Sequence, residues 1–229
     1  ASSIRVVPYI HQEENPFVRV YVYFSFLPDN KVPFLSPKTF GNPDPIADYG
    51  DYLRSSGDAD NIKLANEHFT PTEKIYVPVL IRGSETQGIK FWSFSSYVLE
   101  SIINQVDSLP EIGDFAHLAN GRDINIFYQR SPYTLRAEFA KTPSSVYKDG
   151  TVLEWIKNCP NILEIQKSVS STEAQELLEK KVQYFDPSKA FESSNNINSS
   201  FQEQPKKETP STSQPFDSSS FEQLLKELK

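Results

Sequence analysis

The chain contains no methionine, not even at position 1, and a single cysteine, Cys159. The missing initiator leads to the expectation of a processed or trimmed start. One cysteine excludes an intrachain disulfide, and Cys159, before Pro160 in a helix-end turn, reads as a small semi-buried residue. Histidine is sparse: His11, His68 and His117 are scattered, with no second ligand three to five positions on. No metal and no cofactor is expected. No glycine-rich loop ends in Lys-Ser or Lys-Thr, and no Gly-x-Ser-x-Gly elbow exists. The chain therefore reads as a non-enzyme with no catalytic residue. No apolar run nears the roughly 18 residues of a membrane span, and no charged-then-apolar leader opens the chain. A soluble intracellular protein is expected. Cations are also short: 23 Lys and Arg face 30 Asp and Glu, a formal net charge of −7. That argues against nucleic acid as a partner, except that a few clustered cations suffice to face phosphates.

β-Branched and aromatic residues, punctuated by Pro and Gly, fill residues 1–150. They predict mainly β structure with inserted helices, in the α+β class. Ile4–Ile10 and Phe17–Phe26 are strand candidates and suggest a hairpin. Lys74–Arg82 and Ile89–Phe94 form a second pair around Gly83-Ser-Glu-Thr-Gln-Gly88, whose end glycines suit positive φ. Pro78 inside the first of these strands predicts an edge or bulge. Asp123–Tyr128 and Thr134–Phe139 form a third pair. Asp44-Pro45 and Asp58 start helices. Ser96–Val106 carries Leu99, Ile102, Ile103 and Val106 at helical spacing. Ser170-Ser-Thr-Glu173 is a capping box opening a helix with Ala174, Leu177, Leu178 and Val182 on one side. Hairpins with a mid-chain helix suit a small, partly open five-stranded barrel, and the OB-fold is the candidate. The expected organisation is a core over 1–150 with a helical insertion at 36–70. A helical extension over 151–185, a disordered linker over 186–215 and a short peptide over 216–229 follow.

Aromatics are abundant, at 13% of the chain, and they cluster beside cations on strands. Lys74, Tyr76 and Arg82 share one strand; Lys90, Phe91, Trp92 and Phe94 share the next. Tyr128 and Arg130 end another, and Tyr133 and Arg136 follow. Unstacked bases lie on π-faces while cations track phosphates, which is the chemistry of single-strand binding. Alternation puts Lys90, Trp92 and Phe94 on one face, read as the wet one because it carries Lys90. Trp92 is then a stacking candidate, with a core role as the alternative. Tyr21 and Tyr23 share a face, and alternation does not decide between stacking on bases and covering the barrel.

Several of these segments resemble the helix-destabilising single-stranded DNA-binding protein family of T-even phages. They are Ile4-Arg-Val-Val-Pro8, Gly41-Asn-Pro-Asp-Pro-Ile46, Ile75-Tyr-Val-Pro-Val-Leu-Ile-Arg-Gly83, Gly88-Ile-Lys-Phe-Trp-Ser-Phe94 and Gly121-Arg-Asp-Ile-Asn-Ile126. Together they cover roughly residues 4–147. The resemblance implies an OB-fold that coats single-stranded DNA in replication, recombination and repair, in the host cytoplasm. It implies a cleft lined by Tyr76, Arg82, Lys90, Trp92, Arg130 and Arg136, to which the clustering adds Tyr128. Two family features are missing. Residues 36–70 hold no cysteine and only His68, so no zinc is expected; helix caps with Phe40, Tyr49, Leu53 and Phe69 have to hold the insertion. No basic arm precedes Arg5, which puts self-association on DNA by that route in doubt.

Phe221, Leu224, Leu225 and Leu228 repeat at helical spacing behind Ser218–Ser220, with Phe216 just ahead. An amphipathic peptide on a long tether recruits partners, here replication or recombination proteins; the alternative is a helix that folds back onto the domain. The rival reading of the whole chain is an OB-like structural or adaptor module without nucleic-acid binding. It predicts that Arg82, Lys90 and Arg136 point apart rather than into one groove.

Overall fold

The computed structural model describes residues 2–12, 15–28, 31–130, 133–146 and 150–185, excluding the side chains of Arg130 and Tyr133. The tail residues Phe216, Phe221, Leu224, Leu225 and Leu228 lie outside the described residues, as does the linker expected over 186–215. The described residues carry seven strands and six α-helices, an α+β arrangement with mostly antiparallel strands. Among them no helix is long and apolar enough to cross a membrane.

The chain divides into two compact units. The first takes residues up to 19 and 73–165; the second takes 20–72 and, after 165, the segment carrying the last helix. The helical insertion expected at 36–70 thus falls inside a wider second unit. The helices expected as one extension over 151–185 are shared out between the units.

In the first unit, β1 (Ser2–Val6) lies between β4 (Thr72–Ile81) and β6 (Ile124–Arg130), antiparallel to both. β5 (Lys90–Phe94) pairs with β4, and β7 (Tyr133–Phe139) pairs with β6. The hairpin expected between the first two strands is therefore not formed. Ile4, Arg5 and Val6 are all buried, and both edges of β1 are taken by β4 and β6, strands distant in sequence. The β4–β5 and β6–β7 pairs match the sequence reading. Gly83 and Gly88 both have positive φ, +82° and +70°, at the two ends of the β4–β5 loop. That is where a residue lacking Cβ costs least. Pro78 sits opposite Phe91 in β4, a strand paired on both sides. It lies just where the β1 ladder ends, and its carbonyl accepts from the Val7 amide at 3.1 Å. The N–H that proline lacks is therefore the one that would reach Val7 O, so a single bond is lost at the last rung of the β1 ladder, and β4 is an inner strand rather than the expected edge.

The core of this unit gathers Ile4, Val6, Ile75, Val77, Val79 and Phe94 with Val98, Leu99 and Ile102 of α3 (Ser96–Ser108). Ile103, expected on that apolar side, is instead exposed. A second cluster packs Val7 and Leu80 against Val152 and Ile156 of α4 (Thr151–Lys157). Cys159 is buried, more fully than the semi-buried placement expected, and α5 (Ile162–Ile165) follows. Tyr9 ties this segment down: its hydroxyl donates to Pro160 O and accepts from the Ile162 amide.

In the second unit β2 (Val18–Tyr23), which begins in the first, pairs with the short β3 (Phe34–Leu35). α1 (Pro45–Ser55), α2 (Ala59–His68) and α6 (Ser171–Phe185) complete it. The helix starts are as read from sequence. Asp44 Oδ1 accepts from the amides of Ile46 and Ala47, and Asp58 Oδ1 from Asp60 and Asn61. In the capping box of α6, the Ser170 amide donates to Glu173 at 2.7 Å and the Glu173 amide donates to Ser170 Oγ. Leu53 and Phe69 are buried in the apolar cluster and Tyr49 packs against it. Phe40, also expected to hold this region, is exposed instead. It closes a 3-10 turn that Gly41 ends in the left-handed conformation.

Candidate nucleic-acid interface

A groove of about 1280 Å³ opens in the first unit between α3 and the β6–β7 hairpin. Its walls follow from strand register. Ile126 pairs with Ala137 on the core side, so the next pair on that side is Tyr128 with Leu135. Beyond the core, this side emerges into solvent, and Tyr128 is 54% exposed. The other side pairs Phe127 with Arg136. Gln105 of α3 fastens the helix to β7 beneath the groove. Its Nε2 donates to Ala137 O at 2.8 Å, and its Oε1 accepts from the Phe139 amide. Tyr97, on the first turn of α3 and 74% exposed, stands on the opposite wall. Lys74 and Ser93 close the β4–β5 end.

Two cations reach this groove among the described residues, Lys74 and Arg136. Arg136 is 69% exposed and lies over the Phe127 ring, 5.7 Å from its centroid. It also pairs with Glu138 at 2.9 Å. Exposed aromatic faces beside a guanidinium and an ammonium make a surface on which flat, anionic polymers fit.

Only part of the site expected from sequence gathers here. Tyr128 and Arg136 line the groove, whereas Tyr76, Arg82, Lys90 and Trp92 do not. Trp92 lies opposite Val77 and packs against the core, its ring 4.2 Å from Phe94. The face carrying Lys90, Trp92 and Phe94 is thus the core face, because β5 pairs with the side of β4 that buries Ile75, Val77 and Val79. Lys90 is exposed only because it stands at the strand's start. Tyr76, half-buried, is on the opposite face, across from Ser93. Arg82 is engaged elsewhere. Its Nε meets Asp123 at 3.1 Å, one terminal nitrogen meets Glu85, and the other donates to Ser145 O. The same Asp123 receives Arg5, which is fully buried. The Arg130 side chain lies outside the described residues. In the second unit Tyr23 is buried and Tyr21 is capped by Lys38, 4.7 Å above its ring. Tyr23 therefore belongs to the packing.

Sequence reasoning passed over Tyr97 and Phe127 and named Lys74 without carrying it into the site. Tyr97 had a usable signal, a large aromatic on the polar side of an amphipathic helix. Phe127 had none, since one Phe in a β run reads equally as core.

No family model matches the chain, and no curated protein matches it.

Proposed function

We propose that this chain is a sequence-tolerant single-stranded DNA-binding protein serving replication, recombination and repair, as its sequence resemblance implies. It carries no catalytic activity in this reading. Its sheet is an OB-type variant, and it works in the host cytoplasm. Residues 216–229, outside the described structure, recruit partner proteins. One observation carries the reading: Tyr97, Phe127 and Tyr128 stand exposed around a single groove that also receives Lys74 and Arg136. Each stacked base contributes about 1–3 kcal/mol with no need for sequence match. Two groove cations keep the salt dependence shallow, with a slope no steeper than about −1.4 in log K against log salt.

The test is anisotropy of a labelled oligo-dT titrated with the protein across a salt series. Saturable binding that Tyr128→Ala weakens roughly tenfold or more supports the reading. Absence of binding at low salt overturns it. The same titration with a chain ending near residue 186 reads whether the tail competes with DNA, tighter binding after truncation being the sign that it does. A second reading is favoured by the engagement of Arg82 with Asp123 and Glu85 and by Lys90 lying outside the groove. It is an interaction module whose groove takes an aromatic-rich peptide, and it predicts no oligo-dT binding at any salt.

A further inference from the structure

The groove's exposed guanidinium already has an anion. Arg136 and Glu138 are two residues apart on β7, so their side chains leave the same face. Their charged ends meet at 2.9 Å, with Phe127 directly across the ladder from Arg136 and beneath its guanidinium. Both residues line the groove. Both are largely exposed, which makes the pair an exchangeable surface ion pair rather than a structural one. The contrast with Asp123 is informative: that carboxylate is held by Arg5 and Arg82 and is mostly covered. Glu138 has no second role of this kind, since no other charged partner meets it among the described residues.

We propose that Glu138 is a built-in competitor for the anion site at Arg136, setting both the affinity and the salt response of the groove. This rests on the single-strand-binding reading above. A DNA phosphate that takes the guanidinium displaces Glu138, which then stands uncompensated beside the strand. Each such exchange swaps one ion pair for another. It releases fewer counterions than a phosphate meeting an unpaired arginine. The device weakens binding, and it flattens the dependence on salt.

The experiment compares the full chain with Glu138→Gln, Arg136→Ala and the double variant, by oligo-dT anisotropy between about 50 and 200 mM salt. Unchanged melting of each variant shows that the fold is kept. Glu138→Gln is expected to bind about two- to fivefold tighter at low salt, with a salt slope steeper by about 0.7. The gain is expected to vanish in the Arg136→Ala background. If Glu138→Gln binds with the affinity and slope of the parent, or if its gain persists without Arg136, the competitor role is wrong while DNA binding stands. If neither the parent nor any variant binds, both the role and the reading beneath it fall.

Discussion

The phenol of Tyr23 donates to Asp44 Oδ2 at 2.9 Å, while Oδ1 of the same carboxylate caps α1. Ser36 Oγ donates to Oδ2 as well, and the carboxylate is 4% exposed. One buried acid thus joins β2, the turn after β3 and the start of α1. Burial first, and then the neighbouring Asp44, hold the Tyr23 phenol far above its ordinary range, so it remains a donor at any working pH. Removing the acid orphans the hydroxyls and the cap together. Asp44→Ala is expected to cost about 3 kcal/mol, and Tyr23→Phe about 1 kcal/mol. Denaturant unfolding measures both, and a loss below about 0.5 kcal/mol for Asp44→Ala would contradict the assignment.

Lys181 presents the reverse case. It is buried, donates to Phe26 O and lies over the rings of Phe26 and Phe185, yet no carboxylate meets it among the described residues. Burial lowers its pKa. A base whose folded pKa is lowered destabilises the fold while it is charged. That cost fades as pH rises from the lowered value toward 10.5. Lys181→Met is expected to stabilise the protein by about 1 kcal/mol near neutral pH, with the advantage shrinking at alkaline pH. A variant less stable than the parent would show that the ring contacts outweigh desolvation.

Two arginines separate structure from binding. Arg82→Ala is expected to leave oligo-dT affinity nearly unchanged, while Arg136→Ala weakens it several-fold, because only the second lines the groove. Asp123→Asn removes the charge partner of the fully buried Arg5, met at 2.8 Å, and is expected to cost about 3–5 kcal/mol. Equal losses of affinity from both arginine variants would place the interface elsewhere.

Cys159 offers a probe of the first unit. Burial pushes its thiol up to about 11. At a pH near 8 it stays protonated and covered, so a disulfide reagent is expected to label it only on unfolding. Its raised value also means that stability falls as pH climbs from 9 toward 11, where the unfolded thiol ionises first. Rapid labelling of the native protein would contradict this placement.

How far the site was legible shows at β5. The strand, its partner β4 and the glycines of the connecting loop are local signals and were readable. Which face of β5 is wet was not. Lys90 suggested one face, but the pairing of Trp92 with Val77 and the packing of α3 over Phe94 turned that face inward. Arg82 failed as a site residue for a similar reason: its partner Asp123 is distant in sequence, and ion pairs across a sheet leave no periodic trace.

Local chemistry in the sequence determined the helix starts at Asp44, Asp58 and Ser170, the two hairpins and the aromatic-rich class of surface. Caps, turns and alternation act over a few residues, so they survive in the order of the letters. Only the tertiary structure decided that β1 runs between β4 and β6, that α6 belongs with residues 20–72, and which aromatics stand exposed. Those outcomes depend on contacts between distant segments, where burial of both faces of a strand and the competition for each charge are settled by packing.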